Sequence, residues 1–235
     1  MSYLKFISDE KLFLAVEKVI DEIESAKKRI DTKLYKNVLD PFSALFDGIT
    51  HKISYEEWLK SEKARQVQKT MQNAIGNFHQ DILGSIAGFE NLGVGQGVDI
   101  CNRKTRLIAE IKNKFNTTKG NHKVEIYDSL KAKLNTKEFN GFTGYYVEVI
   151  PPNRKSYDHP FTPSDNKSKT ARPKNEFIRI IDGVSFYGMV TGRPNALKEL
   201  FEILPLFISD HFPYLMDKHE VYKYLELYGK AFTIK

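Results

Sequence analysis

The sequence predicts an α/β protein in which a mixed central β-sheet is flanked by helices and preceded by a helical N-terminal part. Apolar residues recur at helical spacing through most of the first 90 residues. From Gly97 onward, short alternating segments typical of strands are interspersed with helical ones. We see no internal repeat and no interdomain linker. We therefore expect a single domain over 1–235, with a mainly helical part at 1–90 and an α/β core at 91–235.

The first two helices are predicted from periodicity and end signals. In the first helix one face is apolar, formed by Phe13, Val16, Ile20, Ile23 and Ile30. A short second helix is expected over 41–47, with Asp40 as N-cap, Pro41 at the first helical position and Gly48 at its end. These apolar stripes either pack on the chain's own sheet or form a contact between two copies of the chain.

A capping box indicates where the third helix begins. Ser54 is the expected N-cap, and Glu57 stands three residues later, so each side chain can bind the backbone of the other. The pattern that follows predicts one long helix, or two joined near Gly76, ending by Gly84 or Gly88.

The α/β core begins with a predicted hairpin. "GVDIC" (97–101) and "TRLIAEIKN" (105–113) both alternate between apolar and polar residues, and "NRK" (102–104) is short enough to be a hairpin turn. The preceding "GVGQG" (93–97) is expected to be a turn, because it lies before a strand and not between a strand and a helix. A helix is predicted over 121–136 and a third strand over 144–150.

The remainder is predicted to be a long loop, two strands and two helices. Residues 152–175 are polar and rich in proline, as loops are. "FIRIIDGVSFYGMV" (177–190) is interpreted as two strands around Asp182-Gly183. Two amphipathic segments, beginning near Arg193 and Lys218, predict the final helices.

Composition excludes several protein classes. No apolar run reaches the roughly 18 residues of a membrane span. Acidic residues in "MSYLKFISDEK" occupy the place of a signal peptide's apolar region, so no export signal is predicted. The single cysteine, Cys101, excludes an internal disulfide and a cysteine-rich zinc site and predicts a reducing cytoplasm as the compartment.

The positive charge is concentrated around the hairpin. The chain has a net charge of +6, and the segment 103–123 alone has seven basic residues against Glu110. These residues are Arg103, Lys104, Arg106, Lys112, Lys114, Lys119 and Lys123. Such a field suits an anionic partner such as a phosphate backbone, although a solvated lysine-rich surface has the same composition.

Three polar residues on one face of the hairpin can support metal-assisted hydrolysis. If the strands pair, Asp99 comes beside Glu110 and Lys112. Two neighbouring carboxylates suit a hard divalent cation such as Mg²⁺, which keeps several of its waters. An ammonium group beside the metal can orient a water molecule and offset the charge that develops on a phosphate. The alternative is a surface ion pair on an edge strand.

These residues also resemble the signature of a known superfamily. "VD" at 98–99 followed by "EIK" at 110–112 resembles the PD-(D/E)XK nuclease motif, with Val98 in place of the proline. The resemblance implies a restriction-endonuclease-like fold, Asp99 and Glu110 as metal ligands and Lys112 as the catalytic lysine. It also implies that Ile111 contributes its backbone carbonyl to a Mg²⁺ site.

A longer segment resembles one branch of that superfamily. "NAIGNFHQDILGSI" (73–86) and "EIKNKFNTTK" (110–119) are similar to type II restriction endonucleases that cut GGNCC-like sites. The similarity extends over about residues 70–190. It implies metal-dependent hydrolysis of phosphodiester bonds at a short specific site in double-stranded DNA. In this superfamily a helix before the site often adds a polar residue, and the candidates here are Gln80, Asp81 and Glu90.

Residues that contact DNA are expected in the polar segment after the catalytic strand, in the long segment 152–175 and after the last strand. Polar and basic groups there suit phosphate or base-edge contacts, although ordinary solvated loops look the same. The candidates are Asn113, Lys114, Asn116, Thr117, Thr118, Lys119, Arg154, Lys155, Arg172, Lys174, Arg193 and Asn195.

Three functions remain open at this point. The first is a site-specific endonuclease that acts as a homodimer, because a near-palindromic site calls for two subunits related by a two-fold axis. The second is a repair or junction nuclease of the same superfamily without sequence specificity. The third is a basic DNA-binding protein without catalytic activity.

Overall fold

The computed structural model describes residues 2–93, 97–118, 120–165, 169–215 and 221–232. The chain divides into two compact units, one comprising Met1–Phe13 and His79–Lys235, the other Leu14–Phe78. Residues 94–96 of the predicted Gly-rich turn and Lys119 lie outside the described residues. Within the described ranges, no helix has both the length and the apolar character that crossing a membrane requires.

The N-terminal part contains the three predicted helices. These are α1 (Asp9–Lys33), α2 (Pro41–His51) and α3 (Tyr55–Gly84), and a short 3₁₀ turn (Leu34–Lys36) follows α1. The Asp40 carboxylate caps α2 by accepting from the Phe42 amide. The capping box also forms, because the Glu57 amide donates to Ser54 Oγ and the Ser54 amide donates to Glu57 Oε2.

Two boundaries in this part differ from the prediction. Helix α2 continues through Gly48 to His51 and ends at Lys52, whose backbone is left-handed (φ 53°) and whose amide donates to the Gly48 carbonyl. Helix α3 is continuous at Gly76. A glycine within a helix weakens it by only about 1 kcal/mol, and flanking residues of good helical propensity offset that cost.

A six-stranded mixed sheet forms the core of the unit that contains residues 79–235, and this confirms the predicted fold class. The strands are, in chain order, β1 (Glu90–Asn91), β2 (Ile100–Asn102), β3 (Leu107–Lys114), β4 (Thr143–Ile150), β5 (Asp158–Pro160) and β8 (Ile178–Asp182), while β6 (Ser164–Asp165) and β7 (Thr170–Ala171) form a separate small sheet. Their spatial order in the large sheet is β1-β2-β3-β4-β8-β5. The pairs β3–β4 and β4–β8 are parallel, whereas the other three are antiparallel.

Helices cover both faces of the sheet. On one face α4 (Gly120–Leu134) packs Ile126, Tyr127 and Leu130 into a core with sheet residues that include Ile108 and Tyr146. On the other face lies α5 (Gly183–Thr191), where the Phe186 ring is 5.8 Å from the ring of Tyr145. Helices α6 (Ala196–His211) and α7 (Val221–Ala231) follow, as predicted.

The prediction of two strands over 177–190 is wrong in its second half. Strand β8 ends at Asp182 and α5 begins directly at Gly183. The Asp182 carboxylate accepts from the Ser185 amide and so acts as an N-cap. An aspartate-glycine pair is a common hairpin signal, but here Asp182 ends the strand and caps the helix that follows. The apolar residues of α5 lack the usual amphipathic pattern, so the sequence did not indicate a helix.

The segment 152–175 is more structured than a loop. It contains β5 at the sheet edge and a small two-stranded sheet of β6 (Ser164–Asp165) and β7 (Thr170–Ala171). Strand β5 is tied to β8 by the ion pair between Asp158 and Arg179 (2.7 Å). Phe161 directly after it is buried, so a single apolar residue and a cross-strand charge pair order a polar segment.

Candidate active site

The β2–β3 hairpin brings Asp99 beside Glu110, as predicted. Ile100 pairs with Ala109, and the Asp99 amide also donates to the Ala109 carbonyl (2.8 Å), so Asp99 lies directly before the paired residues of β2. Besides burial, the nearby Glu110 carboxylate raises the pKa of Asp99, so the two carboxylates are neighbours at this end of the hairpin. Lys112 is two residues beyond Glu110 on β3, so these two side chains project to the same face of the sheet.

Short hydrogen bonds connect these side chains. The Lys112 ammonium donates to Glu110 Oε1 at 2.6 Å, and the Ile111 amide donates to Asp99 Oδ2 at 2.6 Å. Gln80, near the end of α3, lies close enough to the Asp99 carboxylate to favour its charged form. The backbone at Ile111 therefore lies against Asp99.

The electrostatics of Asp99 reflect a crowded acidic site. Burial, together with the neighbouring Glu110 carboxylate, raises the pKa of Asp99 to about 6. The Ile111 amide, the Lys112 ammonium and Gln80 oppose this shift but do not cancel it. Two carboxylates that repel each other in a partly buried place form a donor set that a divalent cation stabilises.

This donor set fits Mg²⁺ better than a transition metal. Among the described residues, no group of three or more His, Cys, Asp or Glu side chains is arranged to hold a metal. A site with two carboxylates and few other protein ligands suits Mg²⁺, which retains several waters and is bound by oxygen ligands.

A third carboxylate, which is buried and was not predicted from the sequence, lies next to this site. Glu148 on β4 is in register with Lys112, so it lies on the same face, and it is 2 % exposed. It accepts hydrogen bonds from the Lys123 ammonium (2.6 Å) and from the Tyr157 hydroxyl. A lone glutamate in the apolar run "GYYVEVI" was the available signal, because a buried charge requires partners.

The three supporting candidates occupy different positions. Gln80 contacts Asp99, as described above. The Asp81 carboxylate accepts from the Asn91 side-chain amide (3.0 Å), and Glu90 forms an ion pair with Arg103 (3.0 Å). The structure thus brings Gln80 to the site, whereas Asp81 contacts Asn91 and Glu90 contacts Arg103.

The polar residues at the end of β3 and directly after it are largely exposed. Lys114, Asn116 and Thr117 are exposed and Asn113 is partly so, whereas Thr118 is buried. Thr118 therefore faces protein, and Lys119 lies outside the described residues.

The DNA-binding candidates from the later segments differ in whether their charge is already paired within the protein. Arg172 makes a two-pronged contact with Asp128 (2.9 and 2.7 Å), and Arg193 makes a similar one with Glu199 (2.9 and 3.0 Å). Lys174 pairs with Glu176 at the surface. Arg154 and Lys155 are exposed and make no ion pair with the part of the chain that the structure describes.

The basic cluster of 103–123 does not form one continuous patch. Arg103, Lys104 and Arg106 occupy the turn before β3, whereas Lys112 and Lys114 are at its far end. A strand rises about 3.3 Å per residue, so the two groups are on the order of 20 Å apart. Arg103 is moreover paired with Glu90 and Glu138. Counting the basic residues of this segment in the sequence therefore overestimated the positive electrostatic field at the site.

Comparison with known proteins identifies close relatives. A family model described as Eco47II restriction endonuclease matches residues 4–213. The type II restriction enzyme Eco47II of Escherichia coli is 45% identical over 207 residues, which cover 87% of this chain and 86% of that protein. The type II restriction enzyme Sau96I of Staphylococcus aureus is 35% identical over 213 residues, covering 88% and 80% respectively.

Proposed function

The chain belongs to the Eco47II restriction endonuclease family and is a type II restriction endonuclease, and we propose that it hydrolyses DNA at the site formed by Asp99, Glu110 and Lys112. The observation that carries this proposal is the close approach of two carboxylates and one ammonium at the end of the β2–β3 hairpin. The PD-(D/E)XK pattern of the sequence and the membership of a nuclease family support the same assignment.

We propose that Asp99 and Glu110 hold Mg²⁺, with the backbone carbonyl of Ile111 as a further ligand. Burial and repulsion by Glu110, which together raise the pKa of Asp99, support this assignment, because a bound cation would favour the charged carboxylate. Mg²⁺ supplies Lewis-acid chemistry when bound, polarising a phosphoryl oxygen and lowering the pKa of a water. The Ile111 amide keeps the Asp99 carboxylate in place through its 2.6 Å hydrogen bond.

Lys112 is the residue that acts on the reacting groups. Its ammonium already points at the carboxylate pair, since it donates to Glu110 Oε1. From that position it orients the attacking water and stabilises the negative charge that develops on the phosphate. The lysine is partly exposed, so a phosphate can approach it from solvent.

The proposed substrate is double-stranded DNA with a short site of the GGNCC type. The resemblance of residues 70–190 to the enzymes that cut such sites motivates this specificity. The chain carries one candidate catalytic centre among its described residues, and a near-palindromic site has two strands to cut. We therefore propose a homodimer in which each subunit cuts one strand, working in the cytoplasm, where the buried thiol of Cys101 stays reduced.

A plasmid digest tests the proposal. The purified protein is incubated with a plasmid of known sequence in the presence of Mg²⁺, and in parallel with a chelator. Discrete fragments that map to one short sequence are expected only with Mg²⁺. A smear would favour a nuclease without sequence specificity. Binding without any cutting would mean that the carboxylates do not form a catalytic site.

A further inference from the structure

Helix α2 presents its apolar face to solvent. Phe42, Leu45, Phe46 and Ile49 follow one another at the i, i+3, i+4, i+7 spacing of a single helical face. They are 70, 58, 65 and 64 % exposed, and no residue of α2 is buried. A surface helix normally turns such a face towards its own core, so this orientation is the reverse of the usual one.

Polar contacts hold α2 in this orientation. Asp47 lies on the opposite side of the helix and contacts Arg65 of α3 (3.5 Å), within the same compact unit. Asp40 and Ser43, on the same side as Asp47, line a groove together with residues of α1 and α3. The polar side of α2 thus faces the other helices of its unit, and the apolar side is left to face outward.

The exposed patch has the size of an interface core. Two phenylalanines of about 150–250 Å² each, with Leu45 and Ile49, expose on the order of 400 Å² of apolar surface. The largest apolar patch on a monomeric protein is about 300–600 Å² and is often functional. A stable interface buries about 800 Å² per partner, of which roughly 60% is apolar, so this patch supplies most of what is needed.

The charge distribution favours a second copy of the chain as the occupant. The chain has a net charge of +6, but α2 contains no lysine or arginine, so two copies can meet here without opposing cations. The same absence makes the patch unsuitable for a phosphate backbone. A two-fold interface uses the same surface on both subunits, and a short apolar helix can pack against its own copy in this way.

We propose that α2 is the dimerisation helix, and that two chains pack through Phe42, Leu45, Phe46 and Ile49 about a two-fold axis. This inference rests on the homodimer of the proposed function and identifies the surface that forms it. The contact is apolar at its centre, so it persists at high salt, whereas binding to DNA weakens as salt is added.

The experiment compares the oligomeric state of the wild type with that of a double variant, Leu45→Glu plus Phe46→Glu. Both side chains are mostly exposed, so the variant is expected to keep its circular dichroism spectrum and its melting temperature. The matched control is Leu227→Glu, which changes a 52 % exposed leucine on α7. Molar mass is measured by light scattering for the free proteins and for their metal-free DNA complexes, at low and at high salt.

We expect the wild type and the Leu227→Glu variant to have the molar mass of two chains. The double variant should have half that molar mass. If the double variant does not fold, Ile49→Gln replaces it and should raise the dimer Kd by about tenfold or more. A dimeric double variant beside a dimeric wild type overturns the α2 interface alone, and a monomeric Leu227→Glu would locate the contact on α7. A wild type that is monomeric both free and on DNA overturns the homodimer as well.

Discussion

At the scale of single residues, Asp99 and Glu110 allow a direct test of the site. We expect Asp99→Ala or Glu110→Ala to abolish cleavage while binding to DNA persists, because each removes an oxygen ligand of the proposed cation. Binding is expected to become tighter in the presence of a chelator, since a carboxylate that repels phosphate is lost. Cleavage is measured on plasmid, and binding by gel shift.

Glu125→Ala is a matched control, since Glu125 is an exposed carboxylate on α4. It should cut DNA at the wild-type rate. Near-normal cutting by either the Asp99 or the Glu110 variant would contradict the assignment of the site.

Lys112 is expected to act by its shape as well as its charge. Lys112→Ala should lower the cleavage rate by about two to three orders of magnitude, because water orientation and charge stabilisation are lost together. Lys112→Arg should restore little of it, because a planar guanidinium cannot occupy the place of a compact ammonium. Lys114→Ala, two residues away and exposed, should weaken binding to DNA with little effect on the single-turnover rate. Full activity of Lys112→Arg would show that only the charge matters.

Asp99 should also make the stability of the metal-free protein depend on pH. Its pKa in the folded protein is raised from 3.8 to about 6, so the neutral form stabilises the fold below about pH 4, and this contribution is lost as the pH rises through about 6. Relative to Asp99→Asn, the wild type in chelator should therefore lose about 1 to 3 kcal/mol of unfolding free energy between about pH 4 and pH 7. Urea unfolding at both pH values measures this.

Adding Mg²⁺ at neutral pH should stabilise the wild type and leave Asp99→Asn nearly unchanged. The same pH dependence in both proteins would mean that Asp99 is not the group that titrates.

At the scale of secondary structure elements, the junction of β8 and α5 shows how close packing fixes an element that local sequence does not. A β-carbon on Gly183 would lie 2.4 Å from the Val149 carbonyl oxygen on β4. Only a glycine allows the first turn of α5 to approach the sheet this closely. The Asp182 carboxylate, which is fully buried, also accepts from the Tyr157 amide and so connects the segment before β5 to the same junction.

Gly183→Ala is accordingly expected to lower the free energy of unfolding by about 1 to 3 kcal/mol, because Val149 cannot move without disturbing the sheet. Gly76→Ala on α3 is the matched control, since nothing lies within 4 Å of an added β-carbon there. It should raise stability by about 0.5 to 1 kcal/mol through helix propensity. Urea titrations of both variants test the pair, and a harmless Gly183→Ala would argue against the close contact.

At the scale of the whole molecule, ion pairing separates the cations that are available to DNA from those that are occupied. Lys155 is exposed, whereas the Arg172 guanidinium is held by Asp128. We expect Lys155→Ala to weaken DNA binding and to reduce the slope of log K against log salt by about 1. Arg172→Ala should leave the slope unchanged. Fluorescence anisotropy of labelled DNA over a salt series measures the slope. A reduced slope for Arg172→Ala alone would mean that Arg172, and not Lys155, contacts the phosphates.

The local features of the chain could be predicted from sequence because they depend on a few neighbouring residues. The N-cap at Asp40, the capping box of Ser54 and Glu57 and the hairpin that pairs Asp99 with Glu110 were all predictable in this way. Hydrogen bonds over three residues and alternation along a strand are local properties, because they depend only on residues close together in the sequence.

Other features were decided by residues far apart in the sequence. Glu148 meets Lys123 only because α4 covers the face of the sheet onto which Glu148 projects, and position 183 requires glycine because Val149 leaves no room for a side chain. The direction in which α2 turns its apolar face was likewise open, since periodicity shows that a helix has such a face but not what the face packs against. Whether a residue is buried depends on which elements pack together. That packing involves the whole chain and cannot be deduced from the pattern of any one segment.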